Sequence, residues 1–501
     1  MKIIKKINKI LIIMLLIVTQ LTGCNMIDEK VNWQSKNELV FGTTVSTKSL
    51  DPANGYSGWF TVRYGVSETL FKLNDNMEVI PWLAKEYNQI DNNTWEIKIK
   101  ENIKFQNDKT LTPQAVKLSI ERTLKLNARA LDTLKIKKIT TTKDSIIITT
   151  SEENPTLIND LCDPFVSIID VYEKDNDNCP VGTGPFKVDK FRASGTSYFV
   201  KNENYWDSSV KLSSIKVIPI GDSDTLAMAL QSGEIDVAQG LSYSMVNLFE
   251  KDKNYKISTT DTSRAVVLYF NEENEALKNS KVRKAINMLI DKNSYCSLIL
   301  KNQATSGIGA FPTNNAYALD KINTTFNKEE ALKLLKEAGY ADKKLTLKLV
   351  TYSSRAELPS IAQVIQNDLK NAGINVKIEI GDNIEDILSS GDFDLAIYSN
   401  ITSSTGDALA YLNNAFHTNG ASNYGKYSNK EVDKLINQLK VEFNKDKRDK
   451  LAVEIQKIAL NEDAYNYIGY MKMSFVMKNN VEGINPHPTD YYQFNANTNI
   501  K

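Results

Sequence analysis

Side chains that commonly carry out catalysis are scarce in this chain of 501 residues. It contains only two histidines, His417 and His487, from which a Ser-His-Asp or Cys-His arrangement has few ways to form. The motifs Gly-x-Ser-x-Gly and His-Glu-x-x-His and the phosphate loop ending in Gly-Lys-Ser/Thr are absent from the sequence. The sequence therefore predicts a protein that is not an enzyme and that carries no cofactor.

The N-terminus has the pattern of an export signal. Lysines at positions 2, 5, 6 and 9 precede an apolar run from Ile10 to Val18, which is far shorter than the ~20 residues that span a bilayer. The segment ends in Leu21-Thr22-Gly23-Cys24, which resembles the lipobox of bacterial lipoproteins. We expect residues 1–23 to be removed, Cys24 to carry a diacylglycerol and residues 24–37 to form a tether. A plain secretory signal with a chance cysteine is the alternative.

Three further cysteines would meet an oxidising environment after export. Cys162 and Cys179 lie on either side of a polar turn, so they are candidates for a disulfide, with free thiols as the alternative. Cys296 lies in a helical pattern and is expected to pack as a small hydrophobic residue. No cysteines have the spacing of metal ligands.

Basic and acidic residues balance, with 61 of each. Removal of the four signal lysines leaves 57 basic and 61 acidic residues, a net charge near −4. Such a chain has no global positive field that would attract nucleic acid. With 42% hydrophobic and 24% charged residues, it has the composition of a folded protein of two or three domains.

Hydrophobic periodicity predicts a mixed α+β fold. The run 38–42, the alternating residues 95–99 and the run 145–150 indicate strands, and Thr112-Pro113 opens a helix between the last two. Beyond residue 264, helices alternate with strands at 345–350, 374–380 and 393–398, with a helix at 360–372. The first half is therefore expected to contain an antiparallel α+β module and the second an α/β domain.

Nine short segments, in the same order over more than four hundred residues, resemble the bacterial extracellular solute-binding proteins of the peptide/nickel class, the receptors of ABC importers. They are Ser49-Leu50-Asp51-Pro52, Glu68-Thr69-Leu70-Phe71, Val79-Ile80-Pro81-Trp82-Leu83-Ala84-Lys85, Thr94-Trp95-Glu96-Ile97-Lys98-Ile99, Pro180-Val181-Gly182-Thr183-Gly184-Pro185-Phe186, Asn202-Glu203-Asn204-Tyr205-Trp206, Ser232-Gly233-Glu234-Ile235-Asp236, Val282-Arg283-Lys284-Ala285 and Glu337-Ala338-Gly339-Tyr340.

The resemblance implies a bilobal α/β fold, like that of periplasmic binding proteins, with an extra α+β domain and a ligand cleft between the lobes. Domain I would comprise residues 38–60, 176–262 and 471–501, domain II residues 61–175 and domain III residues 263–470. The resemblance also implies a monomer on the outer face of the cytoplasmic membrane, with a small ligand and ABC permease subunits as its partners.

The sequence favours a short peptide as the ligand, with nickel or another metal bound as a small-molecule chelate as the alternative. In peptide-binding members of the family, an acidic residue receives the α-ammonium group, and Asp407 in Thr405-Gly406-Asp407-Ala408 stands at the matching place. The alternative is that Asp407 caps the helix that follows.

Nickel-chelate members use cationic and aromatic side chains, sometimes with one histidine on the metal. The matching candidates are Arg129, Arg355 at the start of a helix, and His417. Asp163 stands where a chelate-binding arginine is expected, and it favours the peptide alternative.

Tyr56 and Trp59, in a glycine-containing loop, are further candidates for contact with the ligand. Interdomain packing is the alternative for both rings. Two other classes of protein share such a cleft, a secreted peptidase and an extracellular peptide sensor.

Overall fold

The computed structural model describes residues 37–321, 324–340, 345–355 and 357–501. The predicted signal peptide, the lipidated Cys24 and nearly all of the tether lie outside the described residues. Within the described part, no helix is long and apolar enough to cross a bilayer.

In these ranges the chain forms short and long strands connected mainly by helices. The strands, numbered β1 to β19 in chain order, are Glu38–Thr43, Phe71–Leu73, Val79–Pro81, Ala84–Asp91, Thr94–Ile99, Ile136–Thr141, Ser145–Thr150, Phe186–Lys190, Ser197–Lys201, Ser214–Pro219, Val237–Gln239, Tyr255–Phe270, Ala304–Ser306, Leu345–Thr351, Ile374–Ile380, Leu395–Ile401, Tyr465–Lys478, Val481–Glu482 and Asn499–Ile500. The α-helices are Gly58–Arg63, Pro113–Leu126, Ala128–Leu134, Leu157–Asp160, Ser223–Ser232, Tyr243–Leu248, Ser280–Leu289, Lys292–Ser294, Lys328–Glu337, Glu357–Lys370, Ile384–Ser390, Leu409–Phe416, Lys430–Leu439 and Lys445–Asn461.

One large mixed sheet runs through most of the molecule. Its strand order is β15-β14-β16-β12-β17-β11-β1-β10-β9-β8, and β13 pairs with β17 beside this path. The long antiparallel strands β12 and β17 lie at its centre, with β16 on one side and β11 on the other. We keep the names domain I and domain III for the predicted ranges. The β11 side of the sheet then belongs to domain I and the β16 side to domain III, and β12 and β17 connect the two.

A separate antiparallel sheet, β4-β5-β7-β6, forms the centre of domain II. The predicted strands here are confirmed as β5 and β7, and the predicted helix as Pro113–Leu126. Thr112 caps that helix, since its hydroxyl accepts a hydrogen bond from the amide of Ala115. The sheet and helix bury a core of their own, which includes Ile97, Val116 and Ile148.

The α/β pattern predicted for domain III is confirmed as well. Strands β14 and β15 are parallel and are joined by the helix Glu357–Lys370, which begins three residues earlier than predicted. Pro359 falls in its first turn, where a missing amide proton costs no helical hydrogen bond. The strand predicted at 393–398 begins two residues later and ends three residues later, as β16. The fold is thus a mixed α/β structure, and the division into domains I, II and III stays a prediction.

Candidate ligand-binding site

A cleft of about 890 Å³ lies between domain I and domain III. Its domain I wall includes residues 239–244 and 488–490, and its domain III wall includes residues 299–301 together with Ser354, Arg355, Glu357 and Ser360. The floor includes Thr262, Ser263 and Arg264 of β12 and residues 471–474 of β17, where the sheet passes between the lobes. Its volume lies within the range of sites that enclose small molecules, roughly 300–1,000 Å³.

Two arginines in this cleft lack the partners that arginines have elsewhere in the structure. The chain has eight arginines. Five form ion pairs with carboxylates: Arg63, Arg122, Arg129, Arg283 and Arg448. Of the other three, Arg192 is exposed on the surface, whereas Arg264 and Arg355 both line the cleft. Among the described residues, neither guanidinium group of this cleft pair has a side-chain hydrogen bond or an ion pair.

The environment of Arg264 disfavours its charge. Burial, with a smaller contribution from the nearby Arg355, lowers the pKa of Arg264 from 12.5 to about 10. Arg264 therefore remains protonated at neutral pH, as a partly desolvated cation with unused hydrogen-bond donors. Arginine offers a planar fork of donors that matches a carboxylate. An anionic ligand would therefore pair with the charge of Arg264 and accept hydrogen bonds from its unused donors.

The cleft as a whole is basic although the chain is not. Its lining contains four basic residues, Arg264, Lys301, Arg355 and Lys472, and two acidic ones, Glu357 and Asp490. Asp490 is already engaged, since its carboxylate accepts hydrogen bonds from Arg63, Gln239 and Gln493. Positive charge is thus concentrated at the cleft, which favours a ligand with carboxylate groups.

Of the residues predicted to bind ligand, Arg355 lies in this cleft. It stands just before the helix Glu357–Lys370, in the turn that follows β14. Neighbouring cleft residues include Glu357, also without an ion pair among the described residues, and Tyr243. Burial raises the pKa of the Tyr243 hydroxyl well above its usual range, so this group stays a neutral donor.

Tyr56, Trp59 and Arg129 form a separate cluster, which does not line the cleft. The Tyr56 and Trp59 rings lie 5.0 Å apart, and the Arg129 guanidinium stacks 4.7 Å from the Tyr56 ring. Arg129 also forms a two-pronged ion pair with Asp163, at 2.8 and 3.2 Å. Asp163 therefore neutralises Arg129 within the protein, a pairing that the sequence interpretation did not include. Tyr56 remains 58% exposed, and a role of this cluster in binding stays a prediction.

Asp407 is occupied by contacts within the protein. Its two carboxylate oxygens accept hydrogen bonds from Nε and Nη2 of Arg448, at 3.0 and 2.7 Å. One of them also accepts a hydrogen bond from the amide of Leu409 at 2.8 Å, at the first turn of the helix Leu409–Phe416. Asp407 thus bonds the first amide of the helix, although the N-cap residue is Ala408. A peptide ammonium group would have to displace Arg448 to reach this carboxylate.

The two histidines do not form a metal site. Nδ1 of His417 accepts a hydrogen bond from the amide of Asn419, and Nε2 of His487 lies 3.2 Å from the carbonyl oxygen of Asn74. In the ranges that the structure describes, no group of three or more His, Cys, Asp or Glu side chains is arranged to hold a metal ion. Neither histidine lines the cleft. The prediction that His417 is the single protein ligand of a chelated metal stays a prediction.

The predicted disulfide between Cys162 and Cys179 was wrong. Both are free thiols, and their sulfur atoms face different carbonyl oxygens, those of Ile158 and Val188. Cys162 is buried after the helix Leu157–Asp160, whereas Cys179 is exposed. Cys296 is buried in the domain III core, as predicted.

Sequence reasoning missed Arg264. It lies in β12 between the polar residues 258–263 and the apolar run 265–270. A charged residue directly before such a buried run was the available signal, because burial of an unpaired charge is costly and points to function.

Comparisons with known proteins agree with this architecture. The sequence model described as bacterial extracellular solute-binding proteins, family 5 Middle, matches residues 78–423. The nickel-binding protein NikA of Staphylococcus aureus is 31% identical over 484 residues, which cover 96% of this chain and 97% of the relative. Its crystal structure in complex with Ni(L-His)2 matches with a TM-score of 0.77, covering 93% of this chain and 100% of that one.

Two other relatives extend the comparison. The structure of a nickel ABC transporter protein from Bacillus halodurans is 31% identical, with a TM-score of 0.84, and covers 93% of this chain and all of its own. The glutathione-binding protein GsiB of Escherichia coli (strain K12) is 27% identical over 428 residues, 80% of this chain and 82% of the relative. The chain therefore belongs to family 5 of the bacterial extracellular solute-binding proteins.

Proposed function

We propose that this protein is the receptor of an ABC importer and that it captures nickel as a complex with a small, carboxylate-bearing chelator. The observation that carries the proposal is the pair of arginines, Arg264 and Arg355, that line the cleft without partners among the described residues. Carboxylates of the chelator would bind to these two cations. The metal would arrive with its own ligands, because the described residues offer no cluster to hold it. The names of two relatives support the same choice, since one is a nickel-binding protein and the other belongs to a nickel ABC transporter.

A small peptide is the second candidate. The glutathione-binding relative favours it, and a peptide also carries a carboxylate that the same arginines would bind. The support that Asp407 lent to this candidate is weaker than the sequence indicated, because Arg448 already neutralises that carboxylate.

Titration calorimetry in metal-free buffer distinguishes the two candidates. The titrants are nickel(II) alone, histidine alone, nickel(II) with two equivalents of histidine, and glutathione. We expect the nickel–histidine complex to bind and nickel alone not to bind, with binding weakened in Arg264→Gln and in Arg355→Gln. Arg192→Gln, an exposed arginine outside the cleft, is the matched control. Tight binding of nickel alone, or full binding in either cleft variant, would contradict the proposal.

We also propose that Cys24 carries the lipid that anchors the receptor to the outer face of the membrane. Replacement of Cys24 by Ala should release the protein into the medium or periplasm, since multiple acyl chains give much more stable attachment than one. Cys179→Ala, which removes an exposed thiol elsewhere, is the control. Membrane attachment that persists in Cys24→Ala would contradict lipidation at this residue.

A further inference from the structure

Strand β12 carries a bulge at the point where the large sheet passes from domain I to domain III. Asp261 pairs with Lys472, but the next paired residue, Ala265, lies opposite Tyr470. The three residues Thr262–Arg264 therefore face the single residue 471 of β17. Bulges of this kind bend a strand and redirect its side chains, and they are frequent beside functional sites.

The hydroxyl group of Thr262 holds this bulge together. It donates a hydrogen bond to the carbonyl oxygen of Met471 at 2.7 Å and accepts one from the amide of Arg264 at 3.2 Å. Thr262 is buried, with 7% of its surface exposed. The same side chain thus joins strand β17 to the backbone of the arginine.

Segments on both sides bond the backbone of Ser263, the middle residue of the bulge. The amide of Ser263 donates to the carbonyl oxygen of Pro488 at 3.2 Å, and its own carbonyl oxygen accepts from the amide of Thr402 at 2.8 Å. Pro488 belongs to the domain I wall of the cleft, and Thr402 directly follows β16 in domain III. The bulge is therefore fixed to both lobes at once.

We propose that Thr262 is a positioning residue for ligand capture, which directs Arg264 into the cleft at the junction of the two lobes. The proposal rests on the proposed function, in which Arg264 binds a carboxylate of the ligand. Among the described residues nothing bonds to the Arg264 side chain, so its direction depends on its backbone. Thr262 bonds that backbone within the bulge, and the pairing with Ile401 of β16 holds it on the other side. An anchor at this junction can stay in contact with the ligand while the lobes open and close around it.

The test compares Thr262→Val, which keeps the shape and removes the hydroxyl group, with Thr262→Ser, which keeps the hydroxyl group. We expect Thr262→Val to weaken binding of the nickel–histidine complex by about two- to tenfold, the range given by loss of one hydrogen bond. Thr262→Ser should bind the complex with the affinity of the unaltered protein. Ser258→Ala is the control, because Ser258 lies on the same strand outside the bulge, and its hydroxyl group bonds Asn485, which does not line the cleft. It should leave the affinity unchanged.

A double-mutant cycle shows whether the effect passes through Arg264. Thr262→Val should have no further effect in the Arg264→Gln background, because the group that it positions is gone. An equal loss in both backgrounds, or full affinity in Thr262→Val alone, would overturn this inference and leave the proposed function intact. Full affinity in Arg264→Gln would overturn the proposed function itself, and with it this inference.

A measurement on the unaltered protein covers the case in which Thr262→Val does not fold. Hydrogen exchange at the Arg264 amide should slow when the nickel–histidine complex binds, because the ligand would fix the residue that Thr262 holds. Exchange that is unchanged at saturating ligand would overturn the proposal.

Discussion

Replacement of Arg264 by Gln should stabilise the free protein and weaken ligand binding at the same time. In the free protein the charge of Arg264 is partly desolvated and lies near the like charge of Arg355, without a carboxylate partner among the described residues. Such a group lowers stability until a ligand pairs with it. Binding sites often hold unfavourable charges of this kind at the expense of stability.

The expected change in the free energy of unfolding follows from the pKa of Arg264. A decrease from 12.5 to about 10 corresponds to roughly 3 kcal/mol of unfavourable free energy for the charged form. Glutamine removes this cost but also loses the packing of the arginine stem, on the order of 1 kcal/mol. We therefore expect a net gain of about 1–2 kcal/mol in the free energy of unfolding. The binding free energy of a carboxylate ligand should weaken by about 2–5 kcal/mol, which corresponds to a loss of affinity of at least about thirtyfold.

The destabilisation caused by the Arg264 charge depends on pH in a definite direction. Because the pKa of Arg264 is lower in the folded state, the cost is fully present below pH 10, where the folded protein carries the charge, and declines between pH 10 and 12.5. The difference in stability between Arg264→Gln and the unaltered protein should thus be constant from pH 6 to pH 9.

Urea unfolding of the ligand-free proteins at neutral pH measures the effect. Arg283→Gln is the contrasting variant, since Arg283 is buried and is paired with Glu272 and with backbone carbonyl oxygens. The free energy of unfolding of Arg283→Gln should be lower by about 3–5 kcal/mol, as expected for breaking a buried ion pair. If Arg264→Gln instead destabilised the free protein as Arg283→Gln does, Arg264 would be a structural residue and the reasoning would be refuted.

Three further outcomes follow from particular contacts. Burial lowers the pKa of His487 to about 4, so its ring protons should titrate near pH 4 by NMR, and stability should fall as the pH decreases from 6.5 to 4; a midpoint near 6.5 would contradict this. Arg448→Gln should lower the free energy of unfolding by about 3–5 kcal/mol by leaving Asp407 unpaired, and an unchanged urea midpoint would count against that pair. Under native conditions, a thiol reagent should label Cys179 but neither Cys162 nor Cys296; protection of Cys179 that a reductant removes would restore the disulfide prediction.

Part of the order of strands and helices was accessible from the sequence alone. Apolar residues at every second position predicted β5 and β15, the isoleucine run at 146–148 predicted β7, and Thr112-Pro113 marked the start of a helix. These signals are readable because each depends on neighbours within a few positions. The nine ordered segments carried the family, since together they span several elements.

The pairing of charges was decided only by the tertiary structure. Asp407 fits an ammonium receptor as well as a cap until Arg448, 41 positions away in the chain, is brought against it. Likewise, Cys162 and Cys179 lie 17 positions apart in the sequence, yet their sulfur atoms contact different carbonyl oxygens. Arg264 shows the converse, because only the fold leaves its side chain without a partner among the described residues. Whether a charge is satisfied depends on distant segments that pack around it, and local sequence patterns do not record those contacts.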